Sequence, residues 1–248
     1  EHIAGSEETF AALMNTHAKR LGMRDSNFTN ATGLPDPDHY TTARDIALVT
    51  AASIREFPDL YAWYTEREFV YNDIKQANRN RLLWQDDSVD GVKTGHTEGA
   101  GYCLVASAKR DDMRLSSVVM GSESVSSRAK ASLALLNYGF RFFESHRLYP
   151  GGQPVEVVRV WMGEIEDLPV GPADDLYVTI PRHKYDQLSA ELVKDPDIRA
   201  PLARGDRVGE IVISLQGREL RRVPLVALED VAEGGWMQKA KDSFLQWF

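Results

Sequence analysis

The stretch VDGVKTGHTEGAGYCLVASAKRDDMRLSSVVM, residues 89–120, decides the fold class. Val89–Thr97, Tyr102–Ala108 and Leu115–Met120 are dense in β-branched and alternating apolar residues and read as three strands. Gly99 and Gly101 break the first join. Lys109-Arg110-Asp111-Asp112 is a polar hairpin connection, so the second and third strands are predicted to be antiparallel neighbours. Helical spacing flanks this block on both sides. Downstream, Ala129, Leu133, Leu136, Phe140 and Phe143 mark one face of a helix over Ser126–Glu144. Upstream, Phe10, Leu13, Met14, His17 and Leu21 form an apolar stripe, with Ser6 as N-cap and Gly22 at the left-handed C-terminal position. Asn27–His39 is rich in turn residues, and Thr41-Thr42 caps a helix through Ala43–Phe57 that stops before Pro58. Phe69–Asn72 reads as a short strand, followed by the polar run Gln76–Arg81. Helices around an antiparallel sheet predict an α+β domain over residues 1–147.

The texture changes at Tyr149-Pro150-Gly151-Gly152. Val155–Trp161, Leu176–Ile180, Arg207–Leu215 and Glu219–Pro224 are short strands separated by turns such as Leu168-Pro169-Val170-Gly171-Pro172. A boundary near residue 147 and a small all-β domain over 148–232 follow. In the segment 233–248, Trp236, Met237, Ala240, Phe244, Trp247 and Phe248 fall within about 120° of one another at 100° per residue, while Lys239, Lys241, Asp242 and Gln246 lie outside that arc and Leu245 is the exception. A helix of this kind suits the surface of a membrane, its aromatic residues forming the anchor. Docking on its own protein or on a partner is the alternative.

Composition sets the limits. Of 248 residues 43% are hydrophobic and 27% charged, which is the profile of a globular protein. The net charge of −8 leaves no surface suited to a nucleic acid. No apolar run approaches the roughly 18–20 residues of a transmembrane helix. Cys103 is alone, which excludes an internal disulfide and a multi-cysteine zinc cage. His2, His17, His39, His96, His146 and His183 include no His-Glu-x-x-His and no close pair, so no metal site is expected and a zinc peptidase is disfavoured. Glu1-His2-Ile3-Ala4-Gly5 has neither an initiator Met nor a signal-peptide pattern, and reads as the last turn of an earlier helix. A missing upstream part of the same protein is expected.

The sharpest chemical motif is Asp90–Thr97. A Lys93-Thr94-Gly95 tripeptide is weak alone, but on a strand that enters a hairpin it suits an acyl-transfer site. The Lys93 ammonium supplies positive potential, the Thr94 hydroxyl can hydrogen-bond a carboxylate, and Gly95 removes a side chain where a ligand must come close. A peptide can pair with such a strand through its main chain.

On these residues the chain resembles the low-molecular-mass penicillin-binding proteins, the serine-type D-alanyl-D-alanine carboxypeptidases. The likeness also runs through Ile3–Ser6 with Met14-Asn15, Ala43–Asp45 with Ala47-Leu48, Asn78–Trp84, Gly101–Ala108 and Gly139–Glu144, and covers nearly the whole chain. The resemblance implies a penicillin-binding fold of helices around an antiparallel sheet, a β-rich domain and a terminal amphipathic helix. It implies removal of the terminal D-alanine from peptidoglycan stem peptides through a serine acyl-enzyme, with β-lactam antibiotics as mimics of the substrate and no cofactor. Lys93, Thr94 and Gly95 match the third family motif, and the His96 backbone N–H matches an oxyanion-hole donor. Arg128 matches an arginine that holds the substrate's terminal carboxylate, Arg79 one at the mouth of the site, and Leu34 a loop residue over the cleft. The implied location is the periplasm, peripheral on the outer face of the inner membrane. The departure is that Ser-x-Asn occurs nowhere, and Ser127-Arg128-Ala129-Lys130 is a Ser-x-x-Lys at the wrong place in the chain. These 248 residues alone are therefore expected to be inactive. A non-catalytic peptidoglycan-binding or scaffolding protein is the alternative. A class A β-lactamase fits less well, because it would end soon after Glu144.

Overall fold

The computed structural model describes residues 1–245. The chain divides into two compact units, Glu1–Phe142 and Phe143–Phe248.

The first unit opens with α1 (Glu7–Arg20), whose N-cap Ser6 accepts a hydrogen bond from the Thr9 N–H. Beyond its end Gly22 takes φ +78°, the left-handed conformation a side chain disfavours. The helix α2 (Ala43–Glu56) is capped by Thr42, which accepts from the Asp45 N–H, and Pro58 starts the short α3 (Pro58–Tyr61). The strands β1 (Glu68–Tyr71) and β2 (Ile74–Ala77) form a separate hairpin, followed by the single turn α4 (Leu82–Gln85). The sheet is β3 (Val89–Thr97), β4 (Gly101–Arg110) and β5 (Met113–Ser122), all antiparallel in chain order, with β3 at one edge. The helix α5 (Val125–Phe142) packs on β4 and β5, burying Ala129, Leu136 and Phe140. The predicted α+β layer is therefore present.

Two local readings change in this unit. Ile74–Ala77, which overlaps the start of the polar run Gln76–Arg81, is a strand, because Asn72 and Asp73 at φ 47° and 59° turn the chain back on itself. The helix predicted to run to Glu144 ends at Phe142, and Phe143 starts a strand.

That strand, β6 (Phe143–Tyr149), opens the second unit and pairs with β9 (Leu176–Pro181). The unit thus starts a few residues before the boundary expected near 147. Its larger sheet has the order β10 (Leu188–Lys194), β11 (Arg207–Leu215), β12 (Arg218–Ala227), β8 (Asp167–Gly171), β7 (Glu156–Arg159). The core is Val158, Val160, Leu168, Val170, Ile211, Ile213 and Leu225, with Leu176, Val178 and Ile180 of β9. Leu168–Gly171 was expected to be a turn. It is a strand despite Pro169, because β8 meets β12 only at Val170 and Gly171, beyond the proline's missing N–H. The described residues close with α6 (Trp236–Leu245). No helix among the described residues is long and apolar enough to cross a membrane.

Candidate active site

The site forms along β3. Its lower end is fixed by buried polar contacts. Asp90 accepts from the Tyr61 hydroxyl at 3.0 Å and from Arg114 Nη1 at 2.8 Å, and Arg114 Nη1 also donates to Ser107 Oγ at 2.7 Å. Burial, with the Asp90 charge, pushes the Tyr61 phenol up to about 12, so it stays a donor at neutral pH. The buried Asn80 donates its Nδ2 to the Gly91 carbonyl at 2.9 Å. Gly91 is required here: a Cβ would sit 2.6 Å from the Tyr61 hydroxyl.

Past this anchorage the strand emerges. Lys93 is exposed and its Nζ donates to the Thr94 carbonyl at 2.7 Å; Thr94 is half-buried, and Gly95 and His96 are exposed. Register sets Lys93 opposite Val105, Gly95 opposite Cys103 and His96 opposite Tyr102. The His96 and Tyr102 rings lie 4.0 Å apart.

Arg128 reaches the same strands from α5. It is only 5% exposed, and its Nη1 donates to both Gly95 O (2.9 Å) and Cys103 O (3.0 Å), clamping two directly opposed residues. Its guanidinium carbon is 5.6 Å from the Tyr102 ring centre. Burial draws its pKa below the ordinary arginine value, and the charges of Arg81 and Arg79 push the same way, against Cys103 and Tyr102. It remains a cation, since arginine starts from about 12 or above. Arg79 is exposed and close enough to Arg128 to act on it electrostatically. On a chain of net charge −8, Arg79 and Arg81 lie near enough to Arg128 to add their positive charge to its own.

A groove of about 840 Å³ opens at the far end of β3, between Leu34, Pro35 and Tyr40 on a loop and Thr97 and Cys103 on the sheet, with Ala100 on the turn that joins β3 to β4. Asn30 shapes that loop, accepting from the Gly33 N–H at 2.7 Å and donating to the Leu34 carbonyl at 3.1 Å. Leu34 thus lines the groove beside the strand, whereas Lys93 lies further down β3 and does not line it. Ser124 caps α5, its Oγ accepting from the Ser127 N–H at 3.0 Å, and Ser127 completes the cap by accepting from the Ser124 N–H at 2.9 Å; Lys130 is exposed. Tyr61 and Arg114 carry no signal in the sequence. Asp90 opens the Asp90–Thr97 motif and Asn80 lies in the Asn78–Trp84 segment, but neither stretch says anything of the contacts these residues make at the base of β3.

At the other end of the chain, α6 sits on its own unit by its polar side. Asp242 is fully buried, accepting from the Met162 N–H at 2.7 Å and from Arg159 Nη2 at 3.1 Å, and Gln238 donates to Glu166 at 3.0 Å. The Arg159 guanidinium carbon lies 4.2 Å from the Trp161 ring centre. Trp236, Met237, Ala240 and Phe244 are all exposed, Trp236 by 80%. Trp247 and Phe248 lie outside the described residues.

Comparison with known proteins follows this geometry. A family profile described as D-alanyl-D-alanine carboxypeptidase matches residues 1–124, and one described as penicillin-binding protein 5, C-terminal domain, matches residues 143–233. The D-alanyl-D-alanine carboxypeptidase DacC of Escherichia coli is 42% identical over 254 residues, covering 100% of this chain and 64% of that protein. The chain thus spans just under two thirds of the length of that relative. The crystal structure of penicillin binding protein 5 from Haemophilus influenzae matches with a TM-score of 0.83 and 40% identity, over 94% of this chain and 69% of that one. Penicillin-binding protein D2 from Listeria monocytogenes, solved in its ampicillin-bound form, matches with a TM-score of 0.50 and 29% identity over 54% of this chain and 60% of that one. Identity of this extent, running through the strand that carries Lys93-Thr94-Gly95 and on into the β-rich unit, means that the chain belongs to the D-alanyl-D-alanine carboxypeptidase family.

Proposed function

We propose that these 248 residues are the substrate-reading part of a serine D-alanyl-D-alanine carboxypeptidase whose nucleophile lies in polypeptide outside them. The observation that carries this reading is the edge strand β3, anchored at Asp90 and Gly91, with Lys93, Gly95 and His96 exposed beyond and the Arg128 cation buried behind Gly95. The sequence lacks Ser-x-Asn, and the hydroxyl of its one Ser-x-x-Lys is engaged in capping a helix, which supports an attacking serine from elsewhere.

In this mechanism a stem peptide lies along β3 and pairs with its main chain. Its terminal carboxylate is drawn by Lys93 and Arg128, and Thr94 offers a hydroxyl to it. Arg79 guards the mouth, and Leu34 limits the cleft from the loop. The serine oxygen attacks the carbonyl between the two terminal D-alanines while its partner lysine takes the proton. The tetrahedral oxyanion is held by two backbone N–H groups, one from His96, each such donor being worth about 3–4 kcal/mol of barrier. The C–N bond breaks, D-alanine leaves with the proton, and water hydrolyses the acyl ester. A β-lactam follows the first half of this path and leaves a longer-lived ester; the ampicillin-bound relative supports that extension.

The terminal helix supports a peripheral membrane location on the periplasmic side of the inner membrane. Its polar side is held by Asp242 and Gln238, and Trp236, Met237, Ala240 and Phe244 face away from those contacts. An amphipathic helix that turns its aromatic side outward is suited to the headgroup region of a bilayer.

The test compares the full-length protein with its Lys93→Ala variant, measuring labelling by a fluorescent penicillin and D-alanine release from a peptide ending in D-alanyl-D-alanine. Both should fall by about two orders of magnitude or more, the size of effect expected when electrostatic stabilisation at a developing charge is removed. Near-normal labelling of the variant would refute the role of β3.

A further inference from the structure

Asp242 is a fully buried carboxylate that the mechanism above does not use. It lies on the polar side of α6, where an amphipathic helix resting on a bilayer by itself would keep its charges in water. Burying a carboxylate is costly unless its oxygens are paired. Here both are: Oδ2 accepts from the Met162 N–H at 2.7 Å, and Oδ1 accepts from Arg159 Nη2 at 3.1 Å. Arg159 is fixed in turn, 3.6 Å from Glu166 and over the Trp161 ring.

The segment Trp161–Gly163 is shaped to receive the end of the chain. Met162 takes φ +62°, a conformation uncommon for a residue with a side chain, while its N–H meets Asp242. Its carbonyl accepts from the Gly234 N–H at 2.8 Å, so one residue grips the chain both before α6 and within it. Gly234 has no room for a side chain, since a Cβ would sit 2.6 Å from the Gly163 carbonyl oxygen. The segment is itself pinned: Trp161 donates to the Ile198 carbonyl at 2.8 Å and accepts from the Ala200 N–H at 2.9 Å. These contacts all lie inside the second unit and do not depend on what covers its surface.

We infer that Asp242 is a positioning residue for membrane binding: it keeps α6 formed and seated before lipid is met, with Trp236, Met237 and Phe244 exposed for a zwitterionic phospholipid surface. The inference rests on the peripheral membrane location proposed above and adds how the helix is made ready for it. A helix of ten residues is marginal in water by itself. An unseated segment would have to fold on the bilayer, and that ordering would be taken from its affinity. Lipid charge is not required. Lys241 pairs with Glu166 and Lys239 with Glu233, on a chain of net charge −8, so insertion of the aromatic side chains carries the binding.

The experiment uses the full-length protein with vesicles of phosphatidylcholine, alone or mixed with phosphatidylglycerol. Partition is measured by co-sedimentation, and exchange of the α6 amides is followed without vesicles. The protein should bind both vesicles to a similar extent, and its α6 amides should be protected in buffer. A Trp236→Ala, Phe244→Ala double variant should lose most of the binding while its α6 amides stay protected. Asp242→Ala should lose that protection and weaken partition about five- to tenfold, although the residue is buried away from lipid. Asp242→Asn, which keeps an acceptor for the Met162 N–H, should recover part of both. Thermal denaturation confirms that the variants fold; a merely structural Asp242 would lower the melting temperature and leave partition unchanged. Where alanine prevents folding, the asparagine variant decides, and a partition equal to the parent's overturns the inference. Equal partition of Asp242→Ala and parent, unprotected α6 amides in the parent, or binding that needs phosphatidylglycerol also overturns it, and each leaves the membrane location standing. Absence of binding to either vesicle, with or without self-association through the helix, overturns both.

Discussion

Replacing Arg128 separates two roles that its position allows. Its Nη1 already serves Gly95 O and Cys103 O, so a substrate carboxylate must take the remaining N–H groups on Nε and Nη2. A hydrogen bond to a charged group contributes about 1.5–3 kcal/mol net, and the 5% exposure of Arg128 means little screening by water. At about 1.4 kcal/mol per tenfold, losing one such contact lowers kcat/KM by about 10- to 150-fold. The assay is kcat/KM of the full-length enzyme and its Arg128→Leu variant, on a peptide ending in free D-alanine and on the same peptide as its C-terminal amide. The variant should lose the full factor on the acid and only a few-fold on the amide. Arg128→Lys should recover part of the loss, since its ammonium keeps the charge without the planar fork. Equal losses on both substrates would show that Arg128 serves only to clamp the strands, and the carboxylate role would be refuted.

Three further predictions test the scaffold. Gly91→Ala drives a Cβ to within 2.6 Å of the Tyr61 hydroxyl, which Asp90 holds in place; a loss of about 1–3 kcal/mol is expected in chemical denaturation, and a neutral substitution would show that this corner is loose. Asp242→Ala leaves the Met162 N–H without its acceptor, costing about 1–3 kcal/mol at that contact; exchange of the α6 amides should accelerate by about tenfold or more, and unchanged protection would show that other contacts hold the helix. Burial would raise the Asp45 carboxyl, but bonds from Ser26 and the Asp25 N–H, with the Arg44 charge, hold it below its ordinary value of 3.8. Its contribution to stability is therefore complete above that value and lost as pH falls through the lowered one. Asp45→Asn should flatten the acid limb of the stability profile, and an unchanged limb would show that other carboxylates set it.

Much of this arrangement was legible in advance where side-chain period and burial agree. β3 buries Val89 and Gly91 and β4 buries Leu104, Ala106 and Ala108 at a period of two, and the caps Ser6 and Thr42 announce their helices. Where burial is absent the period vanishes: β2 is exposed throughout, and only Asn72-Asp73 betrayed its turn. The junction at Phe142 and Phe143 was obscured because Phe140 and Phe143 continue the helical spacing into a strand. At the site, Lys93–His96 form a contiguous motif and could be read directly. Contacts between distant residues could not: Asn80 on Gly91, Tyr61 and Arg114 on Asp90, and Arg128 on two carbonyls are products of folding. The terminal helix shows the same limit. Its apolar arc was readable, but not that Asp242 on the opposite side would be its buried attachment.

The free margin of β3 has a cost as well as a use. Unpaired backbone groups accept any extended segment, including the same margin of a second molecule, and proteins discourage such self-association by placing a charged side chain there. Lys93 meets that need, since two copies approaching through this margin bring ammonium against ammonium. The residue proposed to draw an anionic chain end would thus also keep the molecules dispersed, and neutralising it should increase clumping in concentrated solution.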